Sequence, residues 1–535
     1  MQERFTLPLA IYTILVLLIG SNIFGQPNLH TLGWLSTDAM DTMSLRWLLF
    51  NPEARFAPVG YEFSQLTPNI LDHLLAYPLV SFLGFPLGDN LWWFFILLGN
   101  AFSAHALGKR LGGEIGGYWT GILVLSSEQL LREVNLYHAP QSMLFFPLLY
   151  CWSLLQENSR RNSILTGVLL GLAGWCYLYS SLFVLIGMLP LLWRRTPKNI
   201  LLIIGAASIT LLPNLAWLVW MTPELINAPI IGQIQGVSMQ EIHSGSWNLL
   251  WQNQPMDLSN QISFLALGLS GWMFWKRRNS LLWKTSLFCF GFGFLMVLGS
   301  NIPIFEWIHK LPILSRLTWS ERWGILLLLG VIFGSAPFFH HKHRLIWRLP
   351  PILLLEMFLR SGNLPLHAEP IDSYQCYAEL AKGKGVILEL PLQKNDPLFN
   401  RSALYQRLHL RPMINPFQLP PMASPPEKWE DWKEATWLKK LDSLDHTETI
   451  DPSYLQELGI TTIIIDRSTF SPISDREAVL WREHLERNFG TTTDLGCLWL
   501  WSLDSKQKWE SKDDLPEILH PAIDFPLLME PINQK

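Results

Sequence analysis

The chain has 535 residues, 49% hydrophobic and only 16% charged, where a soluble globular chain carries about 25% charged residues. That shortfall argues against an ordinary cytosolic enzyme, and a net charge of −4 supplies no broad basic surface for nucleic acid. Intrinsic disorder fails too: the chain has 26 Trp and 29 Phe, and disordered chains are poor in aromatics.

Charge is sparse up to about residue 360 and dense beyond it, the pattern of a membrane part followed by a water-soluble part. A bilayer core of about 30 Å takes roughly 20 apolar residues in a helix, and such runs recur. The first, residues 7–24, lacks a small-residue cleavage site and is followed by others, so it reads as a retained first helix and not a signal peptide. Further candidates are residues 91–107, 116–131, 143–155, 164–177, 179–193, 200–221, 262–275, 281–298, 323–339 and 351–359, about eleven spans in all. Residues 175–179 interrupt an apolar run too long for one span and are expected to form a tight outside turn.

Orientation follows from basic residues near helix ends, which favour the cytoplasmic side. With the N-terminus inside, successive inside loops carry Lys109 and Arg110, Arg160 and Arg161, then Arg194, Arg195 and Lys198. Later ones carry Lys276, Arg277 and Arg278, then Lys342, Arg344 and Arg348, while residues 222–260 on the other side have no Lys or Arg. Eleven crossings put the tail outside. The expected fold is therefore a membrane α-helical bundle over 1–361 with an extracytoplasmic α/β domain over 362–535.

In that tail, the β-branched runs 386–390 and 461–466 suit buried strands. Residues 475–488 form an amphipathic helix ending before Gly490, 497–503 read as a last strand, and the proline-rich 412–426 as an irregular surface loop. The five cysteines show no metal-type spacing. Cys151, Cys176 and Cys289 lie in or beside spans and serve most simply as small hydrophobes. Cys376 and Cys497 fall in the exported tail, where a disulfide is chemically allowed and left open by the sequence.

The first outside loop, residues 25–69, is long, and long loops in compact proteins often carry function. In it Asp38 and Asp41 are three apart and would share one face of a helix. Two such carboxylates can hold a divalent cation, Mg or Mn, or act as a general base; equally, they can cap a helix and favour its first turn. The second outside loop holds Glu128, Arg132, Glu133, Asn135, Tyr137 and His138 within eleven residues. Ionisable groups so near hydrocarbon line a cavity or pair with one another, so a site and an ion pair of Arg132 with Glu128 or Glu133 both fit. His138 is a proton-transfer candidate near neutral pH. Arg316 and Arg322, before the tenth span, place positive charge on the outer side. They suit a phosphate or pyrophosphate, or else a pair with Glu321 or an interfacial snorkel. Trp34, Trp47, Trp247 and Trp251 could stack on a sugar, but the aromatic belt explains them without a ligand. No phosphate-binding glycine-lysine loop, HExxH or GxSxG occurs.

The order of these segments resembles the GT-C superfamily of polytopic glycosyltransferases, and more narrowly a bacterial branch of GT-C membrane proteins. The motifs that carry the resemblance are Thr37-Asp38, Arg46-Trp47, Pro58-Val-Gly60, Asn135-Leu-Tyr-His138, Trp175 with Tyr177 and Tyr179, Thr318-Trp-Ser-Glu-Arg322-Trp323, and Glu389-Leu-Pro391. Two departures stand out: Thr37 replaces a glycine, and the Arg-x-Pro motif keeps only its last arginine, Arg322. The resemblance implies transfer of a sugar from a polyprenyl-phosphate donor to an acceptor at the outer face of a bacterial inner membrane. Asp38, Asp41 and His138 would serve as catalytic residues, with Asp38 as base or metal ligand. Glu133, Tyr177, Tyr179, Arg316 and Arg322 would bind substrate. Two other readings stand beside it: a non-catalytic component of a cell-envelope polysaccharide assembly machine, and a transporter of a lipid-linked substrate. The second expects paired charges within spans, where Glu356 is one of few acids.

Overall fold

The computed structural model describes residues 3–32, 70–220, 263–277, 279–297, 320–340, 344–360, 364–370, 374–390, 451–457, 459–467 and 475–504, with residues 409, 411, 413, 414 and 441. Asp38, Asp41 and Arg316 lie outside the described residues, as do Trp34, Trp47, Trp247 and Trp251. The chain divides into two compact units, with the division after Pro370.

The first unit opens with helix α1 (Glu3–Ile19) and strand β1 (His30–Leu32). Helices α2 (Ile70–Leu83), α3 (Leu87–Leu125), α4 (Glu128–Asn135) and α5 (Phe145–Leu154) follow. Next come α6 (Arg160–Cys176), α7 (Leu178–Gly187), α8 (Pro197–Trp220) and α9 (Phe264–Arg277). The unit closes with α10 (Leu281–Val297), α11 (Gly324–Ser335), α12 (Leu349–Arg360) and strand β2 (Ala368–Pro370), which pairs antiparallel with β1. Many large apolar side chains point outward here, among them Leu17 and Leu18 on α1, Leu201 and Ile209 on α8, Phe264 on α9, and Leu355 and Leu359 on α12. So large an apolar exterior is unusual for a soluble monomer and marks a surface that meets another apolar phase.

Among the described residues, α3 is the one helix long and apolar enough to cross a membrane by length and composition. It is not straight. Backbone angles leave the helical region at Gly112 and Gly113, where Gly113 takes φ 73°, a left-handed conformation that side chains oppose. In a straight helix residues eight apart lie about 12 Å apart; here a Cβ on Gly108 would collide with the Gly116 carbonyl and the Thr120 side chain. The chain therefore folds back at the glycine pair, and the expected segments 91–107 and 116–131 become two arms joined by this turn. The second arm stops at Leu125 and not at 131, because Ser127 is extended and a new helix, α4, begins at Glu128. The 164–193 run breaks where expected: Tyr177 is extended (φ −157°, ψ 111°) between α6 and α7. Helix α2 was not foreseen. Its 14 residues rise about 21 Å, too short to register as a span, with Pro78 inside.

Two charged side chains in this unit end helices. Glu356 on α12 accepts from the Ser263 hydroxyl (2.6 Å) and the Phe264 and Leu265 amides (2.6 and 3.3 Å), so it caps the N-terminus of α9. Arg195 donates to the carbonyls of Ser153, Leu154, Gln156 and Glu157, closing the C-terminus of α5.

The tail unit contains α13 (Tyr374–Glu379), β3 (Val386–Glu389), β4 (Met413–Ile414) and α14 (Pro452–Glu457). It continues with β5 (Ile460–Asp466), α15 (Asp475–Phe489), β6 (Thr493–Asp494) and β7 (Leu498–Ser502). The sheet runs β4-β3-β5-β7-β6, with β4, β3 and β5 parallel and β7 and β6 joined antiparallel. Leu388, Ile463, Ile465, Leu485 and Trp501 make its core. Met413 and Ile414 correct the expectation of an irregular loop over 412–426: they pair with Ile387 and Leu388, and Met413 is fully buried. Two residues carry too little pattern to announce a strand. Cys376 and Cys497 are joined by a disulfide. Arg411 is buried on neutral oxygens: the carbonyls of Leu380, Lys384 and Gly385 and the hydroxyls of Thr461 and Thr462. Burial pushes its guanidinium down to about 10.

Candidate functional site

The described site residues gather around α4, every residue of which is buried. Eight residues of strongly one-sided polarity form a stable helix here only because α4 is enclosed by α3 and α11. Its C-terminal end carries Glu133. The Glu133 carboxylate takes a hydrogen bond from Arg132 at 2.5 Å through Oε1 and from His138 Nδ1 at 2.6 Å through Oε2. Burial alone would raise the Glu133 carboxyl. Arg132, His138 and Arg322 outweigh it and hold the group well below the usual carboxylate range.

A sharp turn delivers His138 to this position. Its amide donates to the Glu133 carbonyl at 2.8 Å, and the intervening Tyr137 has φ 60°. A left-handed backbone at a bulky residue costs on the order of 1–3 kcal/mol and persists only where surroundings fix it. The fixing contacts are visible: Tyr137 is fully buried, its hydroxyl donates to Asp89 at 3.3 Å, and its ring stands edge-on to Trp93 at 5.1 Å.

From the other side, the short helical turn Ser320–Trp323 brings Arg322. Arg322 donates to the Tyr177 hydroxyl at 2.8 Å and its guanidinium lies 5.7 Å from the Tyr177 ring centre. Tyr177 is exposed to this contact by the extended break between α6 and α7. Tyr179 packs at 5.4 Å from Tyr177 and stacks on Phe183, which in turn meets Trp323. The structure thus brings together Glu133, His138, Tyr177 and Arg322, from segments up to 189 residues apart (322 − 133), and places Tyr179 in the aromatic layer beside them. The Arg132–Glu133 pair weighed from sequence is formed, yet it is part of the cluster and not an alternative to it.

Two residues with structural roles here carried no sequence expectation: Asp89, in the first turn of α3, holds Tyr137, and Asp72 on α2 accepts from the Trp92 indole at 2.7 Å. Asn135, singled out in the second outside loop, accepts from the His367 amide at 3.1 Å through its side chain. A fully buried acid in an otherwise apolar helix was the available signal for Asp72 and Asp89. No group of three His, Cys, Asp or Glu able to hold a metal ion occurs among the described residues. Glu133 is engaged by cations, and Asp72 and Asp89 by an indole and a phenol. This donor set does not fit a divalent cation, which prefers several uncommitted oxygens.

Solved structures share this fold at low sequence identity. The arabinofuranosyltransferase AftD from Mycobacteria superimposes with a TM-score of 0.57 at 15% identity, over 93% of this chain and 40% of that one. A mutant form of AftD superimposes with a TM-score of 0.52 at 15% identity, over 86% and 36%. The oligosaccharyltransferase from Archaeoglobus fulgidus aligns more loosely, with a TM-score of 0.45 at 10% identity over 86% and 68%. This chain spans less than half the length of AftD. No family model matches the chain, and no curated protein matches it by sequence.

Proposed function

We propose that the protein is a membrane glycosyltransferase that moves a sugar from a polyprenyl-phosphate donor to an acceptor on the outer face of a bacterial inner membrane. The observation that carries this reading is the cluster itself: two guanidinium groups and an imidazole collected around one buried carboxylate. Among these described groups positive charge is in excess, which suits the phosphate of a lipid-linked donor. The apolar exterior and the positive-inside loops support about eleven spans, a cytoplasmic N-terminus and an exported tail. The AftD-like fold supports the transferase class.

In this reading Asp38 takes the proton of the acceptor hydroxyl as its oxygen attacks the anomeric carbon. The bond from that carbon to the phosphate oxygen breaks with inversion, and polyprenyl phosphate departs with both electrons. Arg322, held by Tyr177, meets the charge that develops on the phosphate. Asp41 and Asp38 are the pair proposed for a divalent cation such as Mg or Mn, with no step routed through it. His138 is the second proton-transfer group, and Arg316 is proposed to assist Arg322.

The test is transfer from polyprenyl-phosphate sugars by the intact chain, compared with Asp38→Asn and Arg322→Ala. Loss of general-base help should lower kcat on the order of 100- to 10,000-fold. Equal rates for Asp38→Asn and the parent chain remove the base role. Absence of transfer by the parent chain across the donor series moves the reading to a non-catalytic assembly component or a transporter.

A further inference from the structure

The Glu133 carboxylate is sealed, its side chain 3% exposed, whereas the His138 ring is 15% exposed. A substrate at the outer face can therefore touch His138 but not Glu133. The 2.6 Å contact uses Nδ1, and a carboxylate held ionised can only accept, so the proton sits on His138 Nδ1 and the ring's lone pair on Nε2. The turn at Tyr137 exists at the expense of backbone strain, and its one evident product is the position of His138.

We propose that Glu133 is a positioning residue and not a substrate ligand: it fixes the tautomer and direction of His138, with Tyr137 as the strained hinge that returns the chain to it. This rests on the glycosyl-transfer reading for its purpose, though not for its geometry. Glu133 meets the imidazole directly at 2.6 Å, and Arg132 and Arg322 bear on the same carboxylate. Tyr177 lies beyond Arg322, and Asp89 lies behind the Tyr137 hydroxyl.

The experiment is nitrogen-15 NMR of the full chain, labelled at histidine and held in lipid nanodiscs, with His138 assigned by the signal lost in His138→Asn. The parent chain is expected to show Nδ1–H, and Glu133→Gln a mixed tautomer. Glu133→Asp should restore part of the parent signal. In parallel, kcat for sugar transfer by Glu133→Gln should fall on the order of 100-fold while the KM for donor holds within a few-fold, since the donor does not touch Glu133. An unchanged His138 signal in a folded Glu133→Gln chain overturns the proposal. So does a shifted signal with undiminished kcat. A shifted signal in a chain that transfers no sugar keeps the positioning role and sinks the glycosyl-transfer reading, so the two failures are distinct.

Discussion

The helical unit is apolar outside as well as inside, with leucine and isoleucine side chains facing outward along α1, α8 and α12, whereas the tail exposes few large apolar side chains among its described residues, Tyr454, Val479 and Leu480. The two units accordingly hold themselves together by different means. A helix surface bathed in an apolar phase gains little from burying more hydrocarbon, so the helical unit relies on close approach at small residues and on internal polar bonds. The tail has a water-facing exterior, a hydrophobic sheet core and a covalent link between α13 and the residue before β7. Polar groups buried in the helical unit are therefore the informative ones, because each must have a partner that the fold supplies.

The largest expected effect that separates the units is reduction of the Cys376–Cys497 disulfide. It links residues 121 apart, and loop-closure entropy puts its contribution at about 4–5 kcal/mol. Unfolding of the full chain followed by proteolysis should show the tail cut first under reductant while helical fragments persist. Equal loss of both units would mean that they do not hold themselves separately. Next is Gly108→Ala, which sets a methyl against the Gly116 carbonyl and the Thr120 side chain; overpacking of this kind costs about 1–3 kcal/mol. A lower Tm in detergent, with the tail's stability unchanged, is the expected result, and an unchanged Tm breaks the view that the two arms of α3 are held by close contact. The smallest is Glu356→Ala, which removes the cap of α9 at a cost of about 1–2 kcal/mol. Should that variant instead abolish function without affecting Tm, Glu356 would be more than a cap.

Sequence patterns conveyed the sheet strands β3, β5 and β7 and the helix α15 to within a residue or two, since alternation and β-branched runs state burial directly. The break at Tyr177 was legible because an apolar run of 30 residues exceeds a bilayer. Helix α2, strand β4 and the turn at Gly112 were not, being too short or fixed by contacts that only the folded chain supplies. The site shows the same division. Glu133, His138 and Arg322 stood out as charges beside apolar segments, but their convergence depends on a left-handed Tyr137 and on a turn that approaches from 180 residues away. Glu356 stood out only as one of few acids inside an expected span, a scarcity that weighs against a proton-coupled transporter; its carboxylate caps a helix through three hydrogen bonds.

The small β1–β2 ladder does more than pair two short strands. Asn90 donates to the Pro27 and His30 carbonyls at 2.9 and 2.7 Å and accepts from the Leu32 amide at 3.3 Å, so the root of that loop is bolted to α3. The next residue along, Asp89, holds Tyr137, which leads straight into His138. The ladder thus ties two distant points of the chain, residues 30–32 and 368–370, to the helix whose first turn steadies the approach to His138, and the second of its strands is where the chain departs for the tail.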